Sequence, residues 1–108
     1  MVKLPYMGES ELLFHRKYVV LARQGEESAI IEMKVFRLKK DEYYPEGLKY
    51  SLYLVNPFAN GVLVGFDNHK PKGHHYHLDG KELPYCFVSQ EQLIEDFFSL
   101  VQKKGFNV

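Results

Sequence analysis

Ala29-Ile30-Ile31-Glu32-Met33-Lys34-Val35-Phe36-Arg37-Leu38 is the stretch that decides the fold class of this chain. Ile31, Met33 and Val35, with Arg37 next in the series, fall on one side of an extended segment. Ile30, Glu32, Lys34 and Phe36 fall on the other. A period of two marks a strand with one buried face. Upstream, the β-branched and aromatic run ending at Leu21 predicts a strand over about Lys17 to Arg23, with a shorter one before it. Gln24-Gly25-Glu26-Glu27 turns the chain, so the two strands form a hairpin. Downstream, Pro45 and Gly47 mark the 39–47 segment as a loop. Leu48 to Val55 is a third strand, with Leu48, Tyr50, Leu52 and Leu54 towards the core. Asn60-Gly61 is expected to supply the positive-φ positions of a turn, and Val62 to Phe66 makes a fourth strand. Leu83 to Val88 reads as a short extended segment.

Ser89 then resembles a helix N-cap, and Ser89-x-x-Gln92 has the spacing of a capping box. Leu93, Ile94, Phe97, Leu100 and Val101 recur at helical spacing, and Gly105 follows Lys103 and Lys104 as a stop. Neither a one-faced sheet nor a striped helix can bury its apolar side alone. The predicted fold is therefore α+β: an antiparallel meander of at least four strands, with one C-terminal helix packed across it.

The 108 residues fit a single domain, 1–108, with residues 1–10 as an N-terminal arm. Eight Phe and eight Tyr with no Trp agree with a strand-rich chain. Fourteen basic and fourteen acidic side chains cancel, so no global attraction to nucleic acid is expected. The one cysteine, Cys86, predicts a free thiol with a packing role in a reducing compartment. No apolar run reaches the roughly 18 residues of a membrane span, and no signal-peptide core precedes the domain. A soluble, cytoplasmic protein without a membrane partner is expected.

Between the fourth strand and the polar turn Leu78-Asp79-Gly80-Lys81 lies Gly65-Phe66-Asp67-Asn68-His69-Lys70-Pro71-Lys72-Gly73-His74-His75-Tyr76-His77, with four of the five histidines. Imidazole is the side chain that changes charge near neutral pH. As a Gly/Pro-broken loop this stretch suits a site more than packing, and its histidines are expected to contribute little to the core. Two chemistries fit. His69, His74, His75, His77 and Asp67 are all metal-ligand types, and His75 and His77 would share one side of an extended segment. Alternatively, His75 and His77 serve as base and acid on a ribose 2′-hydroxyl and a leaving oxygen, Lys72 binds the phosphate, and Gly73 lets the backbone approach it. Asp67-Asn68 is expected to end the strand in an Asx turn. Glu32, mid-strand among apolar residues, needs a partner if buried and is a candidate orienting carboxylate.

These residues resemble the TumE family of toxins. The likeness runs through Leu12-Leu13-Phe14, Ile31-Glu32-Met33 and Leu48-Lys49-Tyr50-Ser51. It continues in Gly65-Phe66-Asp67-Asn68, Lys72-Gly73-x-His75-x-His77 and Glu82-x-Pro84-Tyr85-x-Phe87, covering about Glu11 to Val101. The family's pattern has an acidic residue where this chain has His74, and a basic one where it has Cys86. The resemblance implies the toxin of a toxin–antitoxin pair, with a helix-turn-helix antitoxin and RNA as partners. On it, His75, His77, Lys72 and Asp67 are the expected catalytic residues. Asn68, Gly73, Glu32 and Tyr85 are the expected substrate-binding ones, and no metal is required. A metal-dependent nuclease using the same histidines, with a divalent metal as cofactor, and a non-enzymatic binding module are the alternatives. The Tyr43-Tyr44 loop and the sheet edge predict a homo-oligomer or an antitoxin-covered surface.

Overall fold

The computed structural model describes residues 2–4, 8–59 and 61–108, with side chains from Ser10 onward. Seven strands follow one another in strict chain order across a single antiparallel sheet. They are β1 (Val2–Leu4), β2 (Gly8–Leu21), β3 (Ser28–Leu38), β4 (Leu48–Asn56), β5 (Gly61–Asp67), β6 (His75–Leu78) and β7 (Lys81–Pro84). One helix, α1 (Gln90–Lys103), follows. This is the α+β meander with one helix that the period-two runs predict.

The alternation in β3 and β4 is realised residue by residue. Ile31, Met33 and Val35 of β3 and Tyr50, Leu52 and Leu54 of β4 are buried, while Arg37 at the end of its series is exposed. Val64 and Phe66 continue that face on β5. α1 lies on it through Leu93, Phe97 and Val101, with Ile94 and Leu100 at the margin. Phe97 meets Phe66 edge-on at 6.2 Å between ring centroids. The Ser89 side chain caps α1 by accepting from Gln92 N at 3.1 Å, while the Gln92 amide donates along the helix to Asp96. Gly105, at φ 100°, lets the chain leave the helix, and Phe106 and Asn107 then pair back onto the end of β2.

Several local expectations are corrected. β2 is one strand reaching back to Gly8, so Gly8–Ser10 do not belong to a free arm; Met1 and Pro5–Met7 lie outside the described residues. Leu13 is the extra residue of a bulge against β3, which breaks the alternation and hides this strand's length. The turn after β4 is built by Asn56, whose Oδ1 accepts from Phe58 N and Ala59 N at 2.9 and 3.2 Å. Gly61 opens β5 without a positive φ, and Asn60 lies outside the described residues. Asp79 and Gly80, both at positive φ, instead make the two-residue hairpin between β6 and β7. Cys86 is exposed, so it has no packing role. Tyr44 is buried and only Tyr43 of the loop pair is exposed. Among the described residues no helix is long and apolar enough to cross a membrane.

The helix covers one face only. The other face carries the residues that alternate with the core: His15 and Lys17 of β2, Glu32 and Lys34 of β3, Ser51 and Tyr53 of β4, Gly65 and Asp67 of β5, His75 and His77 of β6. In-register pairing stacks these into rows across the strands, Glu32–Tyr53–Gly65–His77–Glu82 and Lys34–Ser51–Asp67–His75–Pro84.

Candidate functional site

The histidine-rich stretch is a loop only up to His74. His75 and His77 belong to β6, and pairing with β5 sets Asp67 opposite His75 and Gly65 opposite His77. Strand alternation then turns both imidazoles onto the bare face. The His75 ring is buried, against the expectation of a loop histidine, while the His77 side chain keeps 33% of its exposure. His75 Nδ1 donates to the carbonyl of Gly73 at 2.8 Å, which Gly73 presents from φ +75°. His75 Nε2 lies 3.0 Å from Asp67 Oδ1 and 3.3 Å from Glu82 Oε1. His77 Nε2 is 3.8 Å from Asp67 Oδ2. Ligand atoms of Asp67, His75 and His77 all lie within 4.8 Å of one another.

Asp67 is held from several sides. Its Oδ1 accepts from His69 N at 3.2 Å, the expected Asx turn, and its Oδ2 accepts from the Tyr53 hydroxyl. Tyr53 can lean there because Gly65 has no side chain: a Cβ at 65 would lie 2.7 Å from Tyr53 Cδ1. An unexplained glycine inside an apolar strand was the sequence signal for this close approach. Gly65→Ala should gain about 0.5–1 kcal/mol of backbone entropy but pay about 1–3 kcal/mol in overpacking. Net destabilisation is expected, and combining it with Tyr53→Ala should return most of the loss. Additive losses in denaturant unfolding of the double variant would count against this contact.

Lys72 does not stand free: Nζ donates to both oxygens of Glu82, at 2.9 and 3.2 Å. That bond holds the Glu82 carboxyl below its usual range. Glu82 is a site residue missed by the sequence reading, although it falls inside the family-like block. Asn68, fully buried, bonds the backbone of β4 and not its own: Oδ1 accepts from Tyr50 N at 2.9 Å and Nδ2 donates to Leu48 O at 2.8 Å. It anchors the loop and is walled off from the bare face. Glu32 shares that face but lies three strands from His77, where its partner is His15 at 3.0 Å. The bond to His15 lowers its pKa.

His74 and Tyr85 lie on the helix side. His74 stacks on Phe87 at 4.8 Å and bonds Tyr50 Oη through Nδ1 and Glu46 through Nε2. Both ring nitrogens are satisfied, which makes it a packing histidine. Tyr85 packs edge-on against Phe66 and donates to Asp96 at 2.6 Å, fastening β7's exit to α1.

Burial first, then neighbouring negative groups, pushes the phenols of Tyr50, Tyr53 and Tyr85 upward. A raised pKa means that the folded state holds these protons more tightly. Their stabilisation is complete below the ordinary phenol value of about 10 and is lost as pH climbs through and beyond it. Spectrophotometric titration should show these three ionising only together with unfolding. Eight tyrosines titrating normally in the folded protein would contradict that.

Fold and site together define a small open-sheet α+β protein with an imidazole–carboxylate cluster on the face its helix leaves bare. The family model described as Toxin TumE matches residues 5–104, and the chain belongs to that toxin family. Such a family implies an antitoxin partner. No curated protein and no solved structure matches the chain.

Proposed function

We propose that this chain is the RNA-cleaving toxin of a toxin–antitoxin pair, acting through Asp67, His75, His77 and Glu82. The observation that carries this reading is the turning of two imidazoles and two carboxylates onto one accessible face, with Lys72 beside them. A phosphodiester asks for little more. The 2′-hydroxyl loses its proton, its oxygen attacks phosphorus, the bond to the 5′-oxygen breaks, and that oxygen takes up a proton. The products are a 2′,3′-cyclic phosphate and a free 5′-hydroxyl.

The expected assignment of His75 and His77 as a simple acid–base pair fits less well than the cluster itself. His75 has both ring nitrogens engaged, so His77 is the imidazole with access to substrate. Lys72 is paired with Glu82 in an exposed contact, which a phosphate would have to compete with.

A helix-turn-helix antitoxin is the partner we assign. The surface we assign to it is on the same face beside the site, where Val19, Ile30, Val55 and Val62 form an apolar row across four strands. Val19 and Val62 are exposed there, and Phe58 is exposed in the adjoining turn. The test is incubation of the purified chain with RNA and with DNA of the same sequence, with and without the antitoxin. RNA cut to cyclic-phosphate ends, DNA spared and antitoxin inhibition are expected. An intact RNA bound tightly would replace the enzyme by a binding module.

A further inference from the structure

We propose that Asp67, His75 and His77 hold one first-row divalent transition-metal ion, with Glu82 beside it as a further carboxylate. The Gly73 carbonyl can only accept, so His75 Nδ1 carries the hydrogen and Nε2 presents its lone pair in the neutral ring. That lone pair faces two carboxylate oxygens, at 3.0 and 3.3 Å. Negative density on all three sides requires a positive charge between them.

A proton on Nε2 would answer for His75 alone. It leaves unexplained why His77 also turns its Nε2 to Asp67, at 3.8 Å, too far for a hydrogen bond. One ion explains both. Two ligands each about 2.1 Å from an ion lie about 3.0 Å apart at a right angle and about 3.4 Å apart at the tetrahedral angle. The 3.0 and 3.3 Å separations about His75 fall within that span, and the 3.8 Å from His77 Nε2 to Asp67 Oδ2 lies beyond it, before any tightening around an ion.

The surroundings are those of ligands held in place. A metal-binding imidazole commonly donates its other N–H to a backbone carbonyl, and a ligating carboxylate is itself hydrogen-bonded. His75 does the first through Gly73, and Asp67 does the second through Tyr53 and His69 N. Two imidazoles with one or two carboxylates suit Zn²⁺, Mn²⁺ or Fe²⁺ more than Mg²⁺ or Ca²⁺, which prefer oxygen alone. Charge points the same way. With neutral imidazoles, Asp67 and Glu82 against Lys72 leave the cluster formally negative, which repels a phosphate. A divalent ion reverses that sign. The binding itself stands on geometry; its use in RNA cleavage rests on the function proposed above.

The test separates the two. Metal-stripped full-length protein is titrated with Zn²⁺ by calorimetry and with Co²⁺ by visible absorption, in the absence of RNA. One ion per chain is expected, with affinity lowered at least about 10–100-fold in His77→Ala and in Asp67→Asn. The variants' folding is checked by circular dichroism, and the melting temperature should rise with Zn²⁺ in the parent but little in either. His15→Ala, on the remote Glu32 pair, should bind as the parent does. No binding, or binding undiminished in both folded variants, overturns the assignment. Binding without RNA cleavage keeps the metal and removes RNA as the substrate. Cleavage that persists in chelator by a protein that binds no metal keeps the ribonuclease and removes the metal.

Discussion

His77→Ala is expected to lower RNA cleavage by about 10²–10⁴-fold and to abolish toxicity while leaving the fold intact. The size follows from position: His77 is the imidazole of the cluster that reaches solvent, and its Nε2 faces Asp67. The small cost in stability follows from exposure. The ring touches Tyr53 and His75 at 6.2 and 5.1 Å between centroids and fills no core space, so a change within about 1 kcal/mol is expected. His75→Ala is the less clean experiment. Its ring is buried, and removing it leaves the Gly73 carbonyl and Asp67 short of a partner, at about 1–3 kcal/mol. His69→Ala should behave as the parent, because only its backbone N–H meets Asp67. Growth arrest and RNA cleavage at parental rates in His77→Ala would end the assignment of this cluster as the catalytic site.

Phe97→Ala should produce the largest loss of stability, about 3–5 kcal/mol. Phe97 is fully buried at the centre of the stripe by which α1 lies on the sheet, edge-on to Phe66 and between Leu93 and Val101. A domain of this size has about 5–15 kcal/mol in total, so the variant should be close to unfolding at ambient temperature. A shift of the urea midpoint measures this, and a loss below about 1 kcal/mol would mean that the helix is not held by this face. Because the helix covers the face opposite the site, the folded fraction of the variant should keep its metal affinity.

Periodicity made the centre of the fold legible. β3, β4 and α1 each bury one side against a neighbour, and a buried side must repeat at the period of its backbone, so the core residues could be named without a structure. Of β2, the part from Lys17 onward and its hairpin with β3 were legible, whereas its reach back to Gly8 was not, because much of the strand is exposed on both faces and the Leu13 bulge breaks its alternation. β6 and β7 escaped because four residues of strand are too few to display a period, and because histidines and glycine before β6 look like a loop.

The site divides along the same line. Residue chemistry and spacing were enough to single out Asp67, His75 and His77, since imidazoles two apart in an extended chain share a face. Four decisions belonged to the tertiary structure alone. Glu82 enters because the β6–β7 hairpin sets it opposite His77. His74 leaves because it precedes β6 and packs against Tyr50 and Phe87 on the helix side. Lys72 is paired with Glu82, and Asn68 is turned inward to carry β4's backbone. A sequence states which groups are present and which side of a strand they can occupy. Which of them meet depends on register between strands, and hydrogen bonding between backbones sets that only when the sheet forms.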